Sequence, residues 1–325
     1  MLAALRATDE TVDATGLRVA EGDVTVEGLG LDAEARDWLD GPGPIQIVHG
    51  AAEVRFHLPE SVMFARNVAS TEHVLALARG LGERLARLDH VSTAYVAGDR
   101  TDLVLESEAD VGQRARNAYE SSKLAAELKV AAAQAEGLPA TIHRPSIVVG
   151  DAASGRAGSF KVLYWPLSLY ARGRMRTAFG RPGCPLDVVP VNWVADAMVS
   201  LMATPASLGQ TLHLCAGPER QTTLAEVGAL AQAVFQARPL RFVDPDLYER
   251  WLRPWVRPLL RRFRPEVADK GGVYLPYLAA NPTFDVRRRV ELLALEPPRV
   301  ADYFETILRF ALEADFGRRP QVLDK

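Results

Sequence analysis

The run Ile45-Gln-Ile-Val48 is apolar at all but one position and passes directly into His49-Gly50-Ala51-Ala52. Few folds accept that junction. A strand apolar on both faces belongs inside a sheet covered on both sides. A strand that ends in small residues leaves its backbone open to close approach by another group. The alternation then continues. Pro59 opens a helix to about residue 81, with proline in the first turn, where its missing N–H costs nothing. Residues 88–96 read as the next strand, 119–133 as the next helix and 139–149 as another strand. Ahead of them, residues 17–20 are a short strand candidate ending at Gly22-Asp23. Residues 32–39 are a helix candidate closed by Gly41-Pro42-Gly43-Pro44. Strand and helix in turn, joined by short links, is the pattern of an α/β protein built on a parallel sheet.

The second half changes character. Residues 151–186 are rich in Gly, Arg and Pro and read as irregular. Residues 186–191 and 211–214 read as strands, and 193–203, 222–237 and 299–314 as helices. A chain of 325 residues with 48% hydrophobic and 24% charged residues can bury a large core, which excludes a disordered chain. The net charge of −3 gives no field that draws the protein to nucleic acid. Cys184 and Cys215 form no C-x-x-C and join no Cys/His cluster, so no metal site is expected. The first ten residues lack a basic segment followed by an apolar one. The longest apolar stretch, 162–171, is interrupted by Pro166 and Ser168 and is too short to span a bilayer. A cytoplasmic location is expected.

Chemistry-bearing segments follow in a fixed order. Val91-Ser92-Thr93-Ala94-Tyr95-Val96-Ala97-Gly98 is a strand ending in hydroxyls, and ligands of open α/β sheets bind at the carboxyl ends of strands. Tyr119-Glu-Ser-Ser-Lys123 puts a phenol and an ammonium on one helix face. A free tyrosine titrates at about 10 and is a poor acid or base at neutral pH. A neighbouring cation favours phenolate and is expected to lower that value. His143-Arg144-Pro145-Ser146 closes a strand with proline and a small polar residue. Taken alone, Tyr119 and Lys123 also read as a solvated helix face. His49 and His143 read as structural residues of buried strands, and Asp187 as a local cap or pairing partner.

Taken together these segments are similar to the extended short-chain dehydrogenase/reductase superfamily. The likeness runs over nearly the whole chain through Gly22-Asp23, His49-Gly-Ala-Ala52, Asn67-Val68, Ser92-Thr-Ala-Tyr-Val-Ala-Gly98, Tyr119-Glu-Ser-Ser-Lys123-Leu-Ala-Ala-Glu127, Arg144-Pro-Ser-Ile-Val-Val-Gly150 and Val189-Pro-Val-Asn-Trp-Val-Ala-Asp-Ala197. Asp187-Val-Val-Pro-Val-Asn192 and Tyr274-Leu-Pro-Tyr277 look most like its thioester reductase and fatty acyl-CoA reductase members.

The resemblance implies a Rossmann-like doubly wound parallel sheet over residues 1–160, with a return segment at 186–216. A substrate-side region with C-terminal helices would occupy 161–325. The implied cofactor is a nicotinamide dinucleotide, NADP(H) ahead of NAD(H), and no metal. Asp23 would approach the adenine, and Gly50, Ala51 and Ala52 would line the cofactor. Asn67 would join that group by positioning the active-site network. Thr93 would hydrogen-bond the substrate carbonyl oxygen, with Ser92 the alternative. Tyr119 would give or take the proton. Lys123 would hold the nicotinamide ribose and depress the Tyr119 pKa, and Pro145 and Ser146 would sit beside the nicotinamide. The implied reaction is hydride reduction of an acyl thioester or related carbonyl on a small-molecule or carrier-bound substrate. A nucleotide-sugar epimerase or dehydratase, or a hydroxysteroid-type dehydrogenase, is the second reading.

One part of the pattern does not match. The superfamily opens with a βαβ unit carrying G-x-x-G-x-x-G, whose amides and helix N-terminus hold the pyrophosphate. Gly28-Leu-Gly30, Gly41-Pro-Gly43 and Gly80-Leu-Gly82 are lone pairs, and Gly150, Gly155 and Gly158 do not fit the spacing. The expectation is a chain that starts inside the second family helix, short by on the order of 50 residues. Such a chain would be either a shortened enzyme or a non-catalytic remnant. It would bind NADP(H) poorly and leave sheet surface uncovered. Near the other end, Arg250, Arg253, Arg257, Arg261, Arg262 and Arg264 interleave with Trp251, Trp255 and Phe263. That segment reads as a solvated helix pair, as a phosphate clamp for a coenzyme A or phosphopantetheine arm, or as a membrane-surface contact, which Pro254 and Pro258 disfavour.

Overall fold

The computed structural model describes residues 16–319 except 57, 253, 256, 257, 259–261 and 263–273. The strands of the central sheet and of one adjoining pair are, in chain order, β1 (Ile45–His49), β2 (Leu85–Val91), β3 (Ala140–Pro145), β4 (Ile147–Val149), β5 (Val188–Pro190) and β6 (Thr211–Leu214). β1, β2, β3 and β6 lie side by side in that order, all parallel. β4 and β5 form a separate parallel pair. Among the described residues the helices of seven residues or more are α1 (Ala33–Leu39), α2 (Glu60–Leu81), α3 (Ala118–Ala135), α4 (Tyr164–Ala171), α5 (Val191–Met202), α6 (Leu224–Phe235) and α7 (Val300–Glu313). This is the expected α/β class with a parallel central sheet and flanking helices.

Each covering layer follows from the side-chain pattern. On one face Leu88 and Ile142 pack against Val74, Leu75 and Ala78 of α2 and Val130 and Ala133 of α3. On the other, Leu212 and Leu214 meet Trp193, Val194, Ala197 and Leu201 of α5. Each such aliphatic side chain contributes about 1.5–3 kcal/mol by leaving water. A third core joins α4, α6 and α7 through Leu167, Val227, Phe304, Ile307 and Leu308. Helix starts are chemically marked. The Asp32 carboxylate accepts from Ala35 N–H, the Asn117 side chain from Glu120 N–H, and Thr223 with Glu226 forms a capping box. β1 lies at one edge of the sheet, with Gln46 and Val48 exposed.

Several elements differ from the sequence reading. Residues 17–20 form no strand and are exposed, because a strand exists only through pairing. The second strand starts earlier and stops at Val91. Thr93 Oγ1 accepts from Tyr95 N–H at 3.2 Å and caps a 3-10 turn, Ala94–Ala97, in place of more strand. That turn ends at Gly98, φ +60°, where a Cβ would stand 2.5 Å from Arg114 O. The strand expected over 139–149 changes partner midway. Ser146 N–H bonds Leu214 O, and the next amide, Ile147 N–H, bonds Asp187 O. Residues 151–186 are more ordered than expected. They contain α4, where Pro166 falls among the first amides that need no partner, and a strand, Thr177–Phe179, paired with Arg241–Val243.

Charged groups lie under both faces of the sheet. Arg144 and Glu127 are each 1% exposed, with Nη2–Oε1 at 2.5 Å and Nε at 3.1 Å from both carboxylate oxygens. Ser92 Oγ donates to the same carboxylate at 2.5 Å, and Arg144 Nη2 also donates to Glu108 O at 2.7 Å. On the opposite face Arg87 and His143 both bond Asp89. Removing one partner of a buried pair leaves the other charge uncompensated. Glu127→Ala is therefore expected to lose about 3–5 kcal/mol of unfolding free energy in urea denaturation, and Arg144→Met/Glu127→Leu to recover most of it.

Candidate active site

The carboxyl ends of β1, β2 and β3 meet the first turns of α3, and a cleft of about 300 Å³ opens there. Gly50, Ala52, Thr93, Tyr119, Lys123, Pro145 and Ser146 all line it, so most of the predicted site residues come together. Tyr119 lies at the second position of α3, and Lys123 stands on the same face four residues on. Thr93 sits just past β2, its hydroxyl 3.5 Å from Pro145 O.

The electrostatics run against one expectation. Burial pushes the Tyr119 phenol up to about 12, and the neighbouring Glu120 charge adds to this, against a hydrogen bond with Thr93. The Lys123 ammonium does not depress it. Its Nζ donates to Val91 O at 2.7 Å, and burial brings its own pKa down to about 8, against the pull of Glu127. One N–H of the ammonium is thus held by the end of β2, and burial keeps the phenol above its ordinary range. Burial also brings His49 down to about 4, and its Nε2 lies 3.1 Å from Thr71 Oγ1. His143 bonds Asp89 at 2.7 Å. The Asp187 carboxyl is raised by burial and accepts the Ala216 and Gly217 amides at 2.8 Å. These residues hold backbone and strands together.

Other predicted cofactor residues lie outside the cleft. Asp23 accepts from Thr25 N–H at 2.8 Å and Thr25 Oγ1 at 2.6 Å, which holds its carboxyl below the usual range. It lines a second cavity of about 370 Å³ with Val24, Thr25, Ala52, Glu53 and Arg66. Ala52 lines both cavities, whereas Ala51 lines neither. Asn67 is buried and fully committed. Its Oδ1 accepts from Glu53 N–H at 2.7 Å, and its Nδ2 donates to Glu53 O at 3.1 Å and Ser122 Oγ at 2.9 Å. It bolts the Gly50–Glu53 turn to α3 beside Lys123 and does not face the cleft.

The sequence reading missed the cleft's aromatic wall. Phe56 stands 5.1 Å from the Tyr119 ring, and Tyr95, Tyr164 and Tyr277 complete the lining. Tyr277 was part of the quoted likeness but had no role. Lys161 and Ser159 also line the cleft. Trp251 and Trp255 are exposed, while Arg253, Arg257, Arg261, Arg264 and Phe263 lie outside the described residues. Among the described residues no cluster of His, Cys, Asp and Glu could hold a metal ion, and no helix is long and apolar enough to cross a membrane.

Comparison with known proteins assigns the family. Residues 5–198 match the NAD-binding male sterility protein family, and the chain belongs to it, within the extended short-chain dehydrogenase/reductases. Glycine betaine reductase of Emericella nidulans is 26% identical over 297 residues, covering 85% of this chain and 22% of the relative. A fatty acyl-CoA reductase of Drosophila melanogaster is 26% identical over 212 residues, covering 57% of this chain and 40% of the relative. The chain thus spans less than half the length of either. The terminal R domain from the myxalamid PKS-NRPS biosynthetic pathway superposes with a TM-score of 0.72 at 25% identity, covering 93% of this chain and 76% of that one.

Asn67 yields a direct check. Asn67→Ala strands the half-buried Glu53 amide and removes a partner of the buried Ser122 hydroxyl, and is expected to lower unfolding free energy by about 1–3 kcal/mol. Urea denaturation is expected to show that loss with and without added NADPH.

Proposed function

We propose that this chain catalyses NAD(P)H-dependent reduction of an acyl thioester or related carbonyl, with Tyr119 as proton donor. The observation that carries the reading is the convergence of Thr93, Tyr119 and Lys123 on one cleft floored by Gly50, Ala52, Pro145 and Ser146. The residues present suit the nicotinamide end of a dinucleotide, whereas the given sequence carries no glycine-rich loop of the family spacing for its pyrophosphate. The two cavities lie on either side of Ala52, with Asp23 on one and Lys123 on the other. At Gly50 a Cβ would meet nothing nearer than Val91 Cγ2 at 3.8 Å, which leaves room against the backbone. A bound nicotinamide supplies the hydride.

The chain's own residues do the rest. Thr93 and Tyr119 present hydroxyls to the substrate carbonyl oxygen as negative charge develops on it. A phenol held at about 12 is protonated at neutral pH, so Tyr119 suits donation, and hence reduction. Lys123 anchors the cofactor ribose from the same helix face. The aromatic wall takes the acyl group and excludes water. The names of the relatives, a fatty acyl-CoA reductase among them, favour a thioester on coenzyme A or a carrier arm, and NADP(H) is the cofactor we propose. On this reading residues 1–160 with 186–216 hold the dinucleotide, and 161–325 form the substrate side.

Tyr119→Phe is expected to cut kcat with an acyl-CoA by about 10²–10⁴-fold while NADPH still binds. A variant that keeps the parent rate removes Tyr119 from the role. A second check uses pH. Lys123 carries its charge below about 8 and loses it above. NADPH affinity, followed by nicotinamide fluorescence, is therefore expected to fall as pH rises through about 8. Lys123→Arg, whose charge persists, is expected to remove that fall.

A further inference from the structure

Tyr277 stands on the wall facing the catalytic helix and reaches across to it. Its ring lines the cleft and stacks on Phe56 with centroids 5.9 Å apart. The Arg116 guanidinium lies 3.9 Å from its centroid. Its hydroxyl points away from any acyl group, into the start of α3. It donates to Glu120 Oε1 at 2.5 Å and accepts from Asn117 Nδ2 at 2.7 Å. Asn117 is the N-cap of α3, its Oδ1 accepting from Glu120 N–H at 3.1 Å, and Glu120 follows Tyr119 directly. Arg116 completes the cluster. Its N–H and Nε donate to Glu120 at 2.8 and 3.0 Å, and Nη1 donates to Asn281 Oδ1 at 2.9 Å. Asn281 Nδ2 returns a bond to Tyr277 O at 2.7 Å.

An apolar wall needs only the ring. Placing the phenol on a buried carboxylate costs desolvation and brings back directional constraint. The constrained parts are the helix cap immediately before Tyr119 and the carboxylate immediately after it. We propose that Tyr277 is a positioning residue: by fastening the substrate-side wall to the first turn of α3, it fixes where the Tyr119 phenol stands relative to a carbonyl held on that wall. The inference rests on the reductase reading and adds to it a geometric link across the cleft. Misplacement by about 1 Å at such a point costs on the order of 10²-fold in rate. A loss of this kind falls on kcat, because substrate and cofactor contacts remain.

Tyr277→Phe tests it, since the ring and the Arg116 contact stay while both hydroxyl bonds go. With an acyl-CoA and NADPH, kcat is expected to fall about tenfold or more, with KM and the NADPH Kd within about twofold of the parent. Should Tyr277→Phe not fold, Asn117→Ser keeps a cap but drops the bond to Tyr277 and is expected to give the same split. A folded variant with parental kcat, or one in which KM alone rises, overturns the inference and leaves Tyr277 a wall. A parent that binds NADPH but reduces no thioester overturns the reductase reading, and this inference with it.

Discussion

The Arg144–Glu127 pair is the point from which the rest of the site is set. Arg144 precedes Pro145 at the end of β3, Glu127 lies one turn beyond Lys123 on α3, and Ser92, which donates to the same carboxylate, precedes Thr93. One buried contact therefore holds the bases of the segments that bring hydroxyl, phenol, ammonium and proline to the cleft. Its value is not raw stability, since replacing such pairs with apolar residues is often neutral or better. Its value is register. Two opposite charges at 1% exposure cannot separate or slide without leaving a buried charge unpaired.

Around that brace, burial does the electrostatic tuning. It raises Tyr119 and lowers Lys123 in the cleft, and it lowers His49 in the sheet beneath. A cation beside a tyrosine suggests a phenolate. Burial outweighs that effect here and holds the Tyr119 phenol above its ordinary range, while one N–H of Lys123 is held by Val91 O. Asn67 works in the same way at a distance, linking the small-residue turn to α3 through Ser122.

What the sequence made legible was whatever depends on local order. The Tyr119/Lys123 spacing and the Pro145-Ser146 strand end appear where expected, and 45–49 is a parallel strand, though at the sheet edge with Val48 exposed and not covered on both faces. What it hid depends on contacts between distant segments. The strand over 139–149 has no local sign of changing partner, because the switch is dictated by Asp187 and Leu214. The turn after Val91 reads as strand until Thr93 is seen to cap it. Tyr277 lies about 160 residues from Asn117 and Glu120. Neither periodicity nor motif spacing signals that a phenol so far along the chain will lie against the start of α3.

The claim that most needs testing is that this cleft transfers hydride to a carbonyl carbon. The direct measurement uses NADPH deuterated at the transferred position of the nicotinamide, with an acyl-CoA substrate and mass spectrometry of the products. The account predicts deuterium on the former carbonyl carbon of an aldehyde or alcohol, formed in proportion to the cofactor consumed. A folded, NADPH-binding chain whose products carry no deuterium at that carbon, or which forms no reduced product, would contradict it.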